Sequence, residues 1–244
     1  DKNGNVTYAK ITPDYTQRPQ KPVYQVGDSV TATVDGDTLT LTGTGETYED
    51  YYWRDRNDSA NRLNKTSIKH IIVENGITSL GSELFSHFEN VESIILPTSL
   101  EYIGTGAFSN CYSLENIEIP NGVKALGSYI FNECERLKSI SLPSTLTTVP
   151  GLIDIDGENV ETVILNKGIE RIGNSAFQNM NNLKNIIIPD SVSSIGRWAF
   201  ASCNSLSNIT LPDSITAIEE GAFSDCTSLD KIILPNNLTS LGND

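Results

Sequence analysis

From residue 68 to residue 244, apolar and polar positions repeat in one block of 23 residues. The blocks begin at Ile68, Val91, Leu114, Leu137, Val160, Leu183, Leu206 and Leu229, with no insertion or deletion between them. Position 4 of each block is Ile71, Ile94, Ile117, Ile140, Val163, Ile186, Ile209 or Ile232. Position 6 is Val73, Leu96, Ile119, Leu142, Leu165, Ile188, Leu211 or Leu234. Apolar, mostly β-branched residues two apart predict a short strand with one buried face. Pro97, Pro120, Pro143, Pro189, Pro212 and Pro235 follow at position 7. Proline has no donor for the ladder, so the strand ends there and a turn begins.

Further along each block, positions 10 and 13 are apolar, as in Leu100 and Ile103. A glycine usually follows at position 14, and then comes Ala-Phe, seen at Ala107-Phe108, Ala199-Phe200 and Ala222-Phe223. That spacing predicts about one helical turn, stable only when packed against neighbours. A fixed period in this range marks a solenoid. The expected fold is therefore α/β, a right-handed solenoid with a parallel sheet on its concave face and short helices or turns on its convex face. Strands stacked at roughly 4.8 Å per step would give a sheet of roughly 35–40 Å. No block can bury its apolar face alone, so the core must run between neighbours.

The recurrent I-x-L-P, the I-G-x-x-A-F and the cysteine that follows it resemble the BspA-type leucine-rich repeat from residue 68 to residue 244. That family comprises surface proteins of anaerobic bacteria of mouth and gut, and occurs in some parasitic protists. The resemblance implies a secreted or cell-surface location and adhesion. Its expected partners are a host extracellular-matrix or plasma protein such as fibronectin or fibrinogen, or another bacterial surface protein.

The segment before the repeats divides in two. Residues 1–27 hold Pro13, Pro19 and Pro22 among polar residues and predict a linker or extended arm. Asp1-Lys2-Asn3-Gly4-Asn5 is a poor calcium loop, because its glycine falls at the fourth place and Thr12 stands where Glu is required. Residues 28–67 predict an N-terminal cap. Val30, Ala32 and Val34 alternate with polar residues, Asp35-Gly36 follows, and Leu39 and Leu41 alternate again, which predicts a β-hairpin. Tyr48, Tyr51, Tyr52 and Trp53 follow. They serve either to cover the first repeat or, with Asp50 and Asp55, as a platform for a glycan.

Composition narrows the partners. A net charge of −14 argues against nucleic acid and anionic lipid. No run of eighteen apolar residues exists to span a membrane. The chain opens at Asp1 without an apolar leader, as a mature secreted protein or a trimmed chain would, and this does not argue for the cytoplasm. Cys111, Cys134, Cys203 and Cys226 share position 21 with Phe88 and Met180, which predicts free core thiols rather than disulfides.

Candidate chemistry is sparse. His70 and His87 fall on opposite faces, and no G-x-S-x-G, phosphate loop or C-x-x-C occurs. The chain reads as non-catalytic and needs no cofactor. In the fourth repeat Asp154 replaces the expected Phe and Gly157 the expected Cys, predicting a distorted convex side. Asp154, Asp156 and Glu158 form a carboxylate cluster more suited to solvent than to a cation. Either the protein continues past the last repeat, or its last strand, Asp230 to Leu234, leaves an open edge.

The candidate binding surface is the outward face of the sheet. Position 3 offers His70, Ser93, Asn116, Thr162, Asn185, Asn208 and Lys231. Position 5 offers Ile72, Ile95, Glu118, Ile164, Ile187, Thr210 and Ile233. Isoleucines on a solvent face suit either a continuous pleated sheet or a partner-binding patch. A rigid spacer or a glycan-binding module within a larger secreted protein is the alternative function.

Overall fold

A computed structural model describes residues 22–49, 53, 63–151 and 159–243. It opens on an antiparallel three-stranded unit, β1 (Val23–Gly27), β2 (Val30–Asp35) and β3 (Thr38–Gly43). The two-residue turn between β2 and β3 places Gly36 at φ 63°, a conformation that glycine adopts without steric cost. The alternation across Asp35-Gly36 had predicted β2 and β3. β1 corrects the expectation of an arm running through residue 27. Only Val26 of its side chains is fully buried, so no alternation announced it.

β3 then pairs in parallel with β5 (His70–Val73), and β5 with β7 (Ser93–Ile95), so the hairpin forms one sheet with the first repeats. The row resumes as β10 (Ser139–Leu142), β12 (Thr162–Leu165) and β14 (Asn185–Ile187), all parallel and in register at a 23-residue offset. Positions 4 and 6 point inward throughout these strands, as the period-two pattern requires.

The row is not continuous, which corrects the expectation of a strand in every repeat. The third repeat contributes only the bridges Ser93–Asn116 and Glu118–Ser141, and the seventh and eighth contribute no strand here. The third and seventh repeats combine Asn at position 3 with a polar residue at position 5 (Asn116 with Glu118, Asn208 with Thr210). Asn is depleted in strands, and short polar side chains offer local bonds such as Asn208 Nδ2 to Ser207 Oγ at 3.2 Å. β14 keeps its strand with Asn185 and Ile187, whereas the eighth repeat, with Lys231 and Ile233, has no strand in the seventh to pair with. The expected edge at Asp230–Leu234 is therefore not a regular strand.

A second parallel row, absent from the sequence reading, runs through positions 12 and 13. Its first part is β4 (Gly45–Glu46), β6 (Ile77–Leu80), β8 (Tyr102–Ile103) and β9 (Ala125–Leu126). Its second part is β11 (Thr148–Val149), β13 (Arg171–Ile172), β15 (Ser194–Ile195), β16 (Ala217–Ile218) and β17 (Ser240–Leu241). In most repeats the N–H at position 14 donates back to the preceding position 13, as Gly127 does to Ile103 and Gly173 to Val149. Pro150 occupies position 14 of the fourth repeat and has no N–H, and this is where the row splits. The irregular fourth repeat thus breaks a ladder. Its residues 152–158, with Asp154, Asp156 and Glu158, lie outside the described residues.

The convex side carries tandem turns, not the short helices expected from Ala-Phe spacing. Among the described residues the sole helix is the 3₁₀ turn Lys65–Ser67. The reason lies at positions 16 and 20. Glu83, Tyr129, Ser175 and Trp198 at position 16, and His87, Asn110, Glu133, Asn179, Ser202 and Asp225 at position 20, all have φ between 52° and 65°. A left-handed residue every fourth position breaks a right-handed helix. It also turns alternate N–H groups toward the next repeat: Glu83 donates to Thr105, Phe85 to Ala107 and His87 to Ser109. Those bonds offset the local strain.

Inside, the core runs lengthwise. Phe85, Phe108 and Phe131 stack with centroids 6.0 and 5.9 Å apart, and Phe177, Phe200 and Phe223 stack at 5.4 and 5.3 Å. None of the four cysteines forms a disulfide; Cys111, Cys134 and Cys203 are buried and Cys226 is half-buried. Each thiol donates to the carbonyl of the previous repeat's phenylalanine, at 3.4, 3.2, 3.2 and 3.1 Å in chain order. Burial pushes the Cys111 thiol up to about 12 and raises that of Cys203 as well. Because the folded state favours the protonated thiol, its contribution to stability is complete below the unfolded value near 9. It is lost as pH rises from there toward 12. We predict that a disulfide reagent at pH 8 labels Cys226 first and leaves Cys111, Cys134 and Cys203 intact until the protein unfolds. Rapid labelling of all four in native protein would contradict this packing.

Candidate functional site

The outward face of the concave row is built from alternate residues of the strands, so its composition follows from the pleat. Along position 3, His70 Nδ1 and Ser93 Oγ lie 2.9 Å apart in a hydrogen bond. Asn116, Asn185, Asn208 and Lys231 are exposed and Thr162 is half-buried. Ser93 opens β7 in extended backbone, with its N–H bonded to the Lys69 carbonyl. It is not held on the sharp turn that exposes a serine nucleophile, and the contact with His70 reads as a ladder bond.

Position 5 does not form one isoleucine row. Ile72 lies opposite Ile95 and Ile164 opposite Ile187, and Glu118 and Ser141 separate the two pairs. Ile95 is 58% exposed and Ile187 57%. Ile72 and Ile164 are half-buried against their neighbours. Ser141 is tied down by Asn166, whose Nδ2 donates to Ser141 Oγ at 3.2 Å and to the Leu142 carbonyl at 2.8 Å. Thr210 follows, and Ile233 beyond it is 70% exposed. Two apolar pairs on a polar floor are the result.

Ion pairs at position 2 border this face. Lys69 meets Glu92 at 3.1 Å and Lys184 meets Glu161 at 3.0 Å. The Lys184 hydrogen bond holds the Glu161 carboxyl below its ordinary value. Glu115 pairs with Arg136 at 2.8 Å. Such exposed pairs are worth about 0–1 kcal/mol and help to fix register.

Of the aromatic segment before the repeats, Trp53 behaves as cover, whereas Tyr48 is 40% exposed and its hydroxyl donates to Asp28 Oδ1 at 3.0 Å. Trp53 is 3% exposed, stacks on Phe85 at 6.4 Å and meets Phe88 and Tyr24 edge-on at 5.7 and 5.9 Å. Its Nε1–H donates to the Leu84 carbonyl. A buried indole offers no face to a sugar, so the glycan-platform alternative is corrected at Trp53. Asp50, Tyr51, Tyr52 and Asp55 lie outside the described residues. His70 and His87 lie in β5 and in a convex turn respectively. Among the described residues no group of three or more His, Cys, Asp or Glu is arranged to hold a metal ion, and no helix is long and apolar enough to cross a membrane.

The parallel rows, the 23-residue register and the aromatic stack define a leucine-rich-repeat solenoid. The sequence profile described as "BspA type Leucine rich repeat region" matches residues 59–152 and 156–244, in six copies. The chain belongs to this family. Among solved structures, the BspA-type chain is similar to a leucine-rich repeat protein from Eubacterium ventriosum. The two are 21% identical with a TM-score of 0.59, over 90% of this chain and 68% of the other. It is also similar to the T. pallidum leucine-rich repeat protein TpLRR, at 22% identity and a TM-score of 0.51, over 70% of this chain and 83% of the other. No curated protein matches it. These likenesses establish the fold of the BspA-type repeats in this chain. Such a solenoid is typically a binding scaffold rather than an enzyme.

Proposed function

We propose that this chain is a non-catalytic, adhesin-like protein-binding module of a secreted or cell-surface protein, acting through its concave sheet. The observation that carries the reading is the pair of isoleucine patches, Ile72 with Ile95 and Ile164 with Ile187, held in register on a hydrogen-bonding floor. Isolated exposed isoleucines need no explanation, but paired ones flanked by polar groups make a binding surface with an apolar centre and a polar rim. The polar neighbours His70, Ser93, Asn116, Glu118, Thr162, Asn185, Asn208, Thr210 and Lys231, together with Ile233, extend it along the sheet. Bacterial membership of the family favours a host extracellular-matrix or plasma protein, or another bacterial surface protein, as the partner. The second reading, a rigid spacer or glycan-directed module, rests on the continuous core, which fixes the distance between whatever lies on either side.

Biosensor binding to fibronectin and fibrinogen tests the first reading, with an Ile95→Asp/Ile187→Asp variant run in parallel. Both side chains point to solvent, so the variant should melt like the parent while losing saturable binding by at least about tenfold, a change of about 1.4 kcal/mol. Binding that survives the double substitution removes the concave face from consideration.

A further inference from the structure

At two places on the convex side, the residue at position 16 leans onto a glycine at the same position of the next repeat. Trp198 and Gly221 illustrate the filled arrangement. A Cβ added to Gly221 would lie 2.3 Å from Trp198 Cδ1, so the indole occupies the space that the glycine leaves. The first two repeats hold Glu83 and Gly106 at these positions. A Cβ on Gly106 would meet Glu83 Cγ at 3.3 Å and Ser109 Oγ at 3.2 Å. Here a slim carboxylate stands in place of the indole, and the next repeat raises Tyr129 on the far side. A groove of about 290 Å³ results, walled by Glu83, His87, Asn110, Tyr129 and Asn132 with Gly106 among its lining.

One wall is chemically incomplete. Asn132 Oδ1 is buried and has no hydrogen-bond partner. Buried side-chain acceptors are rarely left unanswered in folded proteins, and each one asks for a donor from elsewhere. The neighbouring hydroxyl does not supply it, because Ser109 Oγ–H donates to the Tyr129 carbonyl at 2.9 Å. Asn110 is partly committed as well, its Oδ1 accepting from Tyr112 at 3.2 Å. The groove therefore sets the exposed Glu83 carboxylate and the amide of Asn132, whose buried Oδ1 a turn of the side chain would present, beside an imidazole and one aromatic ring.

The geometry points to a binding site on the convex face for a single neutral pyranose, seated over Gly106. Sugar hydroxyls, or the N–H of an acetamido group, supply the donor that Asn132 Oδ1 lacks and bond to the exposed Glu83 carboxylate. Ring and hydroxyl oxygens accept from the nitrogen donors, and the C–H face of the sugar lies on Tyr129, whose ring carries a negative face. The volume lies just below the range of ligand pockets, about 300–1,000 Å³, so one ring fits and an extended chain does not. Glu83 and the net charge of −14 disfavour acidic sugars. This site is separate from the concave face and does not depend on what that face binds.

Saturation-transfer NMR with N-acetylglucosamine, N-acetylgalactosamine, galactose and mannose tests the proposal. At least one of the four should bind saturably at millimolar concentration, moving the Gly106 backbone amide and the Asn132 side-chain amide. Gly106→Tyr should close the groove, since Tyr129 already adopts the same left-handed conformation one repeat on. Asn132→Leu removes the waiting acceptor without adding bulk, and serves if the first variant fails to fold. Each should weaken the sugar by about tenfold or more, whereas Ile95→Asp/Ile187→Asp should leave it unchanged. Absence of binding by all four sugars overturns the proposal. So does binding that Asn132→Leu retains in full, or signals that move on the concave sheet instead.

Discussion

Phe108→Ala should destabilise the protein by about 3–5 kcal/mol, the range for truncating a fully buried aromatic ring. Phe108 is fully buried and lies between Phe85 and Phe131, nearly parallel to both, with interplanar angles of 6° and 16°. Its backbone is equally engaged. The N–H donates to the Ile130 carbonyl and the carbonyl accepts the Cys134 thiol. Backbone pairing therefore holds the three repeats at a fixed spacing, and the side chains cannot close over a missing ring. A cavity remains, and its cost adds to the lost transfer energy. The measurement is urea unfolding followed by circular dichroism, with Phe223→Ala as the comparison. Phe223 is only half-buried and touches one ring of the stack, so its loss should be clearly smaller. Equal losses at the two sites, or a loss below about 1 kcal/mol at Phe108, would mean that the aromatic ladder is not what holds the repeats together.

How much of this was legible in the chain differs by position, for physical reasons. The buried residues of positions 4, 6, 10, 13, 18 and 21 repeat in every regular unit, so the solenoid and its core were readable from Ile71 or Phe108 onward. The outward face at positions 3 and 5 followed from the period of two, and His70, Ile95 and Ile187 lie on it. What failed to show was anything set by backbone sign rather than by hydrophobicity. Ala107-Phe108 fits a helical turn as well as a tandem turn. The left-handed residues that decide between them include Glu83, His87 and Trp198, which carry no glycine-like signal. The second strand row escaped because two residues are too few to show alternation. Pro150 was visible as an irregularity, but its effect depends on position 14 being a donor elsewhere. The convex groove was hidden for a related reason. Gly106 looks like ordinary variation until Glu83 and Tyr129 are set beside it. The available signal was that glycine appears at position 16 only at Gly106 and Gly221, in a column otherwise holding larger side chains.

Trp53→Ala should cost a comparable amount, about 3–5 kcal/mol, and it tests how the solenoid is closed over its first repeat. A repeat that lacks a neighbour exposes its core, and something outside the period must cover it. Trp53 extends the phenylalanine ladder by one ring, stacking on Phe85, while its N–H answers the Leu84 carbonyl. Around it, β3 continues the concave row and Tyr24 of β1 packs against the indole edge. Cover is thus shared between hairpin and indole. Trp53→Phe should recover part of the loss, since the ring remains but the hydrogen bond to Leu84 does not. Fluorescence supplies an independent readout because the chain has two tryptophans, and the other, Trp198, is 46% exposed. Native emission should contain a blue-shifted, acrylamide-protected part that vanishes in Trp53→Ala, leaving only quenchable, red-shifted emission from Trp198. An unchanged melt together with fully quenchable emission in the parent would return Trp53 to the surface. Trp53 would then regain the role of a ligand platform that its burial denies it.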